Sequence, residues 1–207
     1  RVTAGELAPG RLSRLVRQLK RVVSGCEVAV HTHNDFGMAT ANSVAALEAG
    51  ATWADATILG LGERAGCARL EELAGYLAMQ TEGCKMSILH LKELSNYVAS
   101  IVSMGIEPGR PVIGDRIFTC ETGLHLQGLQ KDASTYEPYP PEKVGTERRL
   151  LLGAKSGCRA VKERLSQLGY SVDVSRIVPH IQSIREMASA SGTPLTDMEL
   201  IAAVLVP

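Results

Sequence analysis

The feature that most constrains the fold is an alternation of periodicities. Between residues 10 and 80 the chain reads helix, strand, helix, strand, helix. "APGRLSRLVRQLKRVVSG" places Leu12, Leu15, Val16, Leu19, Val22 and Val23 on one helical face, opened by Pro9-Gly10 and closed by Ser24-Gly25. "EVAVHTH" is short and rich in valine, the pattern of a buried strand. "MATANSVAALEAG" predicts a helix capped at Gly50, "ADATILG" a second strand, and "ARLEELAGYLAMQ" a helix with Leu70, Leu73, Ala74 and Leu77 in phase. Such an alternation makes a parallel sheet with helices outside it. Parallel strands need cover on both faces, so two of them do not make a sheet that stands alone.

Beyond residue 85 the strand signal fades. "LHLKELSNYVASIVSMG" predicts a helix with Leu91, Leu94, Val98, Ile101 and Val102 in phase, stopped at Gly105. A long Pro- and Gly-containing stretch follows, of the kind that serves a function or an interface. "SGCRAVKERLSQLG" and "VSRIVPHIQSIREMASASG" predict further helices, the second restarted at Pro179. "TDMELIAAVL" opens with Thr196 and Glu199 at capping-box spacing. No internal repeat or low-complexity tract is present. The expected organisation is an α/β portion over 1–85 and helical subdomains over 86–207.

Composition removes several function classes. Lys plus Arg equals Asp plus Glu at 22 each, and "RLVRQLKR" is a solvated helix side, so no basic face points to nucleic acid. Aromatics at 4% leave little for a base-stacking platform. No apolar run approaches the roughly twenty residues of a membrane span. The five cysteines are scattered and form no CxxC pair, which fits free thiols in a reducing, cytoplasmic setting.

Chemistry concentrates at "HTHND". Residues i and i+2 of a strand face the same way, so His31 and His33 point together and Thr32 points opposite. Both lie where the strand gives way to its loop, the end at which parallel α/β folds build their sites. Two imidazoles on one face are a ready pair of metal ligands, with Asn34 and Asp35 placed to orient them. An isolated His-x-His is more often two polar residues at a strand end. The next strand, however, ends in "GLGERAGC", which sets Glu63 and Arg64 at the corresponding end of its neighbour.

Together "HTHNDFGMATANSVAALEAGAT", "LGLGERAGCARLEEL", "ETGLHLQGLQKDASTYEPYPPEKVG" and "LGAKSG" resemble the homocitrate synthase and isopropylmalate synthase family. These are metal-dependent Claisen-condensing enzymes on a TIM barrel, and the motifs are most similar to homocitrate synthases, including those of nitrogenase cofactor assembly. The resemblance implies that His31 and His33 bind a divalent cation (Zn, Mg or Mn). It implies that His125 assists proton transfer, reaching into a neighbouring subunit, and that Tyr136 lies near the acyl-CoA site. Glu63 and Arg64 would support the site. The implied substrates are acetyl-CoA and a 2-oxo acid, 2-oxoglutarate giving homocitrate.

Two departures stand out. Many relatives carry Asn after "GERAG"; here the residue is Cys67, where a thiolate would favour zinc, although the residue is read as a small, partly buried neighbour rather than a ligand. The family's first-strand carboxylate and its adjacent Arg are not in the sequence. A TIM barrel takes roughly 250 residues, so the chain is read as the C-terminal portion of a (β/α)8 barrel followed by a mostly α-helical region. On its own it is not expected to turn over acetyl-CoA and 2-oxoglutarate. A homodimer, or pairing with a chain that supplies the N-terminal barrel half, is the expected assembly. The competing readings are isopropylmalate or citramalate synthase, a hydroxymethylglutaryl-CoA-type lyase, and a non-catalytic dimerisation module.

Overall fold

The computed structural model describes residues 5–121, 128–129 and 131–206. They form two compact units, Arg1–Ile117 with Lys143–Gly145, and Phe118–Glu142 with Thr146–Pro207. Each is described by itself.

The first unit contains α1 (Pro9–Val22), β1 (Ala29–Val30), α2 (Ala39–Glu48), β2 (Trp53–Ala54), α3 (Leu70–Gln80) and α4 (Leu91–Ile101). Pro9 starts α1, where a missing N–H costs nothing. Leu12 and Val16, one turn apart, carry the buried stripe of α1 against Ala46 of α2, together with Val30 and Ala51. Leu19 and Val22, expected on that stripe, are exposed, so the face is narrower than the periodicity suggested. Helix α2 ends as predicted. Gly50 takes φ +102°, its N–H donates to the Leu47 carbonyl at 3.0 Å, and the Ala51 N–H donates to the Ala46 carbonyl at 2.9 Å. This pair of bonds is the Schellman closure, which favours Gly at the left-handed position.

Strands β1 and β2 are parallel neighbours, Ala29 opposite Trp53 and Val30 opposite Ala54. The pairing is extended by the Asp55 N–H, which donates to the Val30 carbonyl at 2.9 Å. The strand expected over "ADATILG" is cut short. Leu59 adopts φ +60° within a 3-10 turn over Ile58–Gly60, and its N–H donates to the buried carboxylate of Glu71 at 3.0 Å. A left-handed residue cannot continue a ladder, so the chain leaves the sheet there.

Helix α4 differs from expectation in its facing. Ser95 and Ala99 are buried, while Leu94, Tyr97 and Ile101 are exposed. The helix ends at Ile101 rather than running to Gly105, with Ser103 at φ +53°. It belongs to the compact unit that ends at Ile117, although the sequence grouped it with the residues after 86.

The second unit contains β3 (Thr119–Cys120), β4 (Arg149–Leu150), α5 (Cys158–Gln167), α6 (Val174–Ile177), α7 (Ile181–Ser191) and α8 (Asp197–Leu205). Its core joins Leu150 and Leu152 to Val161, Leu165, Ile177, Ile184, Leu200 and Val204. The parallel β3–β4 pair, Thr119 opposite Arg149, was not foreseen, because two residues carry no readable period. Pro179 does interrupt the helix around it, leaving α6, a 3-10 turn over Val178–His180, and α7. The capping box forms at α8. The Glu199 N–H donates to Thr196 Oγ1 at 3.3 Å, and the Thr196 N–H donates to Glu199 Oε2 at 2.8 Å. Among the described residues no helix is long and apolar enough to cross a membrane.

Candidate metal centre

The alternation that aims the two histidines holds. Thr32, between them, is 3% exposed. Its hydroxyl donates to the Ala39 carbonyl at 3.1 Å and lies 2.8 Å from Ser43 Oγ. That anchors the loop start to α2 and leaves His31 and His33 on the opposite side. Asn34 Oδ1 accepts from the Ala39 N–H at 3.1 Å, satisfying a donor at the start of α2. Asn34 thus positions the helix, and does not contact either imidazole through that atom.

The two rings meet through their Nε2 atoms, 3.2 Å apart. Their other nitrogens are held from behind. His33 Nδ1 is 3.3 Å from the Gly66 carbonyl oxygen, and His31 Nδ1 is 3.0 Å from Asp55 Oδ2. A carbonyl and an ionised carboxylate only accept, so each Nδ1 carries the proton and each Nε2 presents a lone pair. Two lone pairs facing at this distance repel unless a proton or a cation lies between them. Two nitrogen ligands at ordinary zinc bond lengths and a tetrahedral angle stand about 3.3 Å apart. The residues present therefore fit a bound cation.

Asp55 was not singled out in the sequence. The parallel register brings it there: Val30 faces Ala54, so the next residues, His31 and Asp55, emerge side by side. A carboxylate behind a metal-binding histidine fixes its tautomer and raises its basicity.

The loop over residues 59–67 builds the other wall. Leu59, Gly60, Arg64 and Gly66 all have positive φ. Gly66 needs glycine: its φ is +88°, and an added Cβ would strike the Gly60 carbonyl oxygen. The loop is stitched to the histidine segment by the Asn34 N–H, which donates to Gly66 O at 2.9 Å, and by an antiparallel bridge between His33 and Cys67. Arg64 donates Nε to Asp35 Oδ1 at 2.8 Å and Nη2 to Oδ2 at 3.0 Å. This fork holds the Asp35 carboxyl below the usual carboxylate range, the side-chain bond to Arg64 being the main cause.

The loop also delivers Cys67. Its Sγ lies 3.9 Å from His31 Nε2, and the donor atoms of His31, His33 and Cys67 all fall within 4.8 Å of one another. From the sequence, a thiolate at this position is weighed, but a non-ligating neighbour is preferred. The signal that could have placed it among the donors is the bridge pairing of residues 33 and 67, which no local pattern reveals.

The remaining candidates are Glu63, Tyr136 and His125. The Glu63 side chain is 87% exposed and lies 3.9 Å from Arg64 Nη1. Tyr136 lies in the second unit, its ring packed over Gly128 so closely that no Cβ would fit there. His125 lies outside the described residues.

Comparison with known proteins covers most of the chain. Residues 2–98 match the HMGL-like family model, and residues 112–192 match the model described as homocitrate synthase post-HMGL domain-like. The homocitrate synthase of Methanothermobacter thermautotrophicus is 40% identical over 190 residues, which is 89% of this chain and 48% of that protein. The (R)-citramalate synthase of Methanocaldococcus jannaschii is 36% identical over 203 residues, 98% of this chain and 41% of that protein. The 2-isopropylmalate synthase of the same organism is 37% identical over 211 residues, 98% and 40% respectively. The chain thus spans less than half the length of these curated relatives.

Proposed function

Because this chain belongs to the HMGL-like family of homocitrate, isopropylmalate and citramalate synthases, we propose that it is the C-terminal part of an acyltransferase that condenses acetyl-CoA with 2-oxoglutarate to homocitrate. In this reading residues 1–85 supply the last strands and helices of a TIM barrel, and 86–207 the helical subdomains. The observation that carries it is the pair of Nε2 lone pairs facing each other at 3.2 Å, with both Nδ1 atoms committed to acceptors behind them. A cation between those lone pairs would relieve their repulsion, and a divalent cation is what this condensation uses. The homocitrate assignment draws on the post-HMGL domain-like match over residues 112–192.

The roles divide as follows. His31 and His33 hold the ion. Bound there, a divalent cation supplies Lewis acidity toward the keto group of the 2-oxo acid. Asp55 and the Gly66 carbonyl keep both imidazoles in the Nδ1–H tautomer, so that both Nε2 atoms stay available. The Arg64–Asp35 fork fixes the loop that carries Gly66. His125 takes part in proton transfer and Tyr136 flanks the acyl-CoA, both by resemblance. Glu63 supports the site through its neighbour Arg64. The assembly is a homodimer, or a pairing with a chain that completes the barrel, in the cytoplasm.

A second reading, citramalate or isopropylmalate synthesis, is favoured by the relatives of those names at 36% and 37% identity. One experiment separates them. The intact gene product is incubated with acetyl-CoA and, in turn, 2-oxoglutarate, pyruvate or 2-oxoisovalerate, and CoA and the product acid are measured by mass spectrometry. Release of CoA with homocitrate, lost in His31→Ala, is expected. Turnover only with pyruvate or 2-oxoisovalerate establishes the second reading. Absence of 2-oxo-acid-dependent CoA release with every acid refutes both.

A further inference from the structure

Cys67 occupies a position in the cluster that a spectator side chain would not need. We propose that Cys67 supplies a thiolate ligand to the ion held by His31 and His33, and that this donor makes the centre select zinc-like ions over magnesium or manganese. The proposal deepens the functional reading above and rests on its metal site.

The geometry is the first support. Zinc bonds are about 2.0–2.1 Å to imidazole nitrogen and about 2.3 Å to thiolate sulfur. At a tetrahedral angle two imidazole nitrogens on one ion stand about 3.3 Å apart, and a nitrogen and a thiolate sulfur about 3.5 Å. The His31–His33 and His31–Cys67 separations, 3.2 and 3.9 Å, are close to those values. All three donors fall within 4.8 Å of one another, so a side-chain rotation that closes the widest gap by about an ångström brings the set around one ion.

The second support is how the thiol is held. Cys67 is 5% exposed. Its N–H donates to the Gly60 carbonyl at 3.0 Å, and the residue pairs with His33 across the loop. Gly62 lies against the sulfur: a Cβ there would come within 2.6 Å of Sγ. The backbone thus fixes the residue beside His33, and Gly62 leaves the space that the larger sulfur atom occupies.

Softness gives the third. A thiol that coordinates an ion does so as thiolate. Thiolate is a soft donor. It favours zinc, and gives little to magnesium or manganese, which prefer oxygen. The competing account is a neutral thiol that merely donates a weak S–H bond to His31 Nε2.

Cobalt(II), a spectroscopic stand-in for zinc, tests it in the intact gene product. The expected result is stoichiometric binding with visible d–d bands and a near-ultraviolet thiolate-to-cobalt charge-transfer band. Cys67→Ser and Cys67→Ala should each lose that band while keeping the d–d bands. They should also bind zinc about tenfold or more weaker, yet bind manganese within about threefold of the parent. Cobalt bound through the histidines, with no charge-transfer band and no change on either substitution, overturns the proposal and leaves the His31–His33 reading standing. Absence of cobalt binding, or binding indifferent to His31→Ala, overturns the metal site itself and the ligand assignment with it.

Discussion

Removing the Asp55 carboxylate tests whether the imidazoles are oriented from behind. The Asp55 backbone N–H is spent on the Val30 carbonyl, so a side-chain change leaves the strand pairing intact. What is lost is the acceptor 3.0 Å from His31 Nδ1. Groups that hold a metal-binding histidine in this way are worth about 10–100-fold in metal affinity. Here the two side chains are 52% and 65% exposed, so water competes for Nδ1–H and screens the carboxylate. The lower end applies, and Asp55→Ala should weaken zinc binding by about tenfold. Asp55→Asn keeps a neutral acceptor and loses only the charge. A charge-assisted bond is roughly twice as strong as a neutral one, which places Asn at about threefold. Competition titration against a chromophoric chelator gives both affinities, with far-ultraviolet circular dichroism confirming unchanged helix content. If Asp55→Ala binds zinc within twofold of the parent while His31→Ala does not bind, the tautomer is not set by Asp55 and the reasoning fails.

Two further outcomes concern the scaffold. Glu71→Ala removes the buried acceptor of the Leu59 N–H and leaves a void, and should destabilise the first unit by about 2–4 kcal/mol in denaturant titration. Glu71→Gln keeps an acceptor oxygen and should cost about 1 kcal/mol or less. Burial raises the Glu71 carboxyl above its ordinary value, so the folded state takes up the proton before the unfolded state does. The parent should therefore gain stability relative to Glu71→Gln as pH falls through that raised value, and a pH-independent difference would contradict the assignment. Thr196→Ala should cost about 1 kcal/mol, read as a lower Tm of the second unit. The bond from the Thr196 N–H depresses the Glu199 carboxyl. Its contribution is present above the ordinary carboxylate value and lost as pH falls through the lowered one, so amide protection in α8 should fall with acid in the parent and not in Glu199→Gln.

What could be read from the sequence, and what could not, follows the range of the interactions. The cap at Gly50, the capping box at Thr196 and the break at Pro179 depend on residues within a few positions, and each formed where the pattern placed it. The shared facing of His31 and His33 depends on backbone alternation alone, and the buried Thr32 between them shows it. Asp55 and Cys67 enter through contacts spanning 24 and 36 positions, set by strand register and by a loop bridge. Nothing local specifies those offsets. Helix α4 marks a different limit. Periodicity names the residues that share a face, but whether that face is buried depends on a neighbour. Leu94 and Ile101 share a stripe and remain exposed, while Ser95 and Ala99 are buried.

The same distinction bears on the proposed ligand at position 67. Positions 31 and 33 are tied to strand alternation, and a shift of one residue there would turn both rings into the space Thr32 fills against Ser43. Position 67 is tied only to backbone: its N–H to Gly60, the neighbouring Gly66 carbonyl to His33 and Asn34. Those bonds ask nothing of the side chain at 67. An exchange there alters the donor offered to the ion and leaves the two imidazoles where they are. On the proposal that Cys67 is a ligand, metal preference would be set at this loop position, separately from the strand that carries His31 and His33.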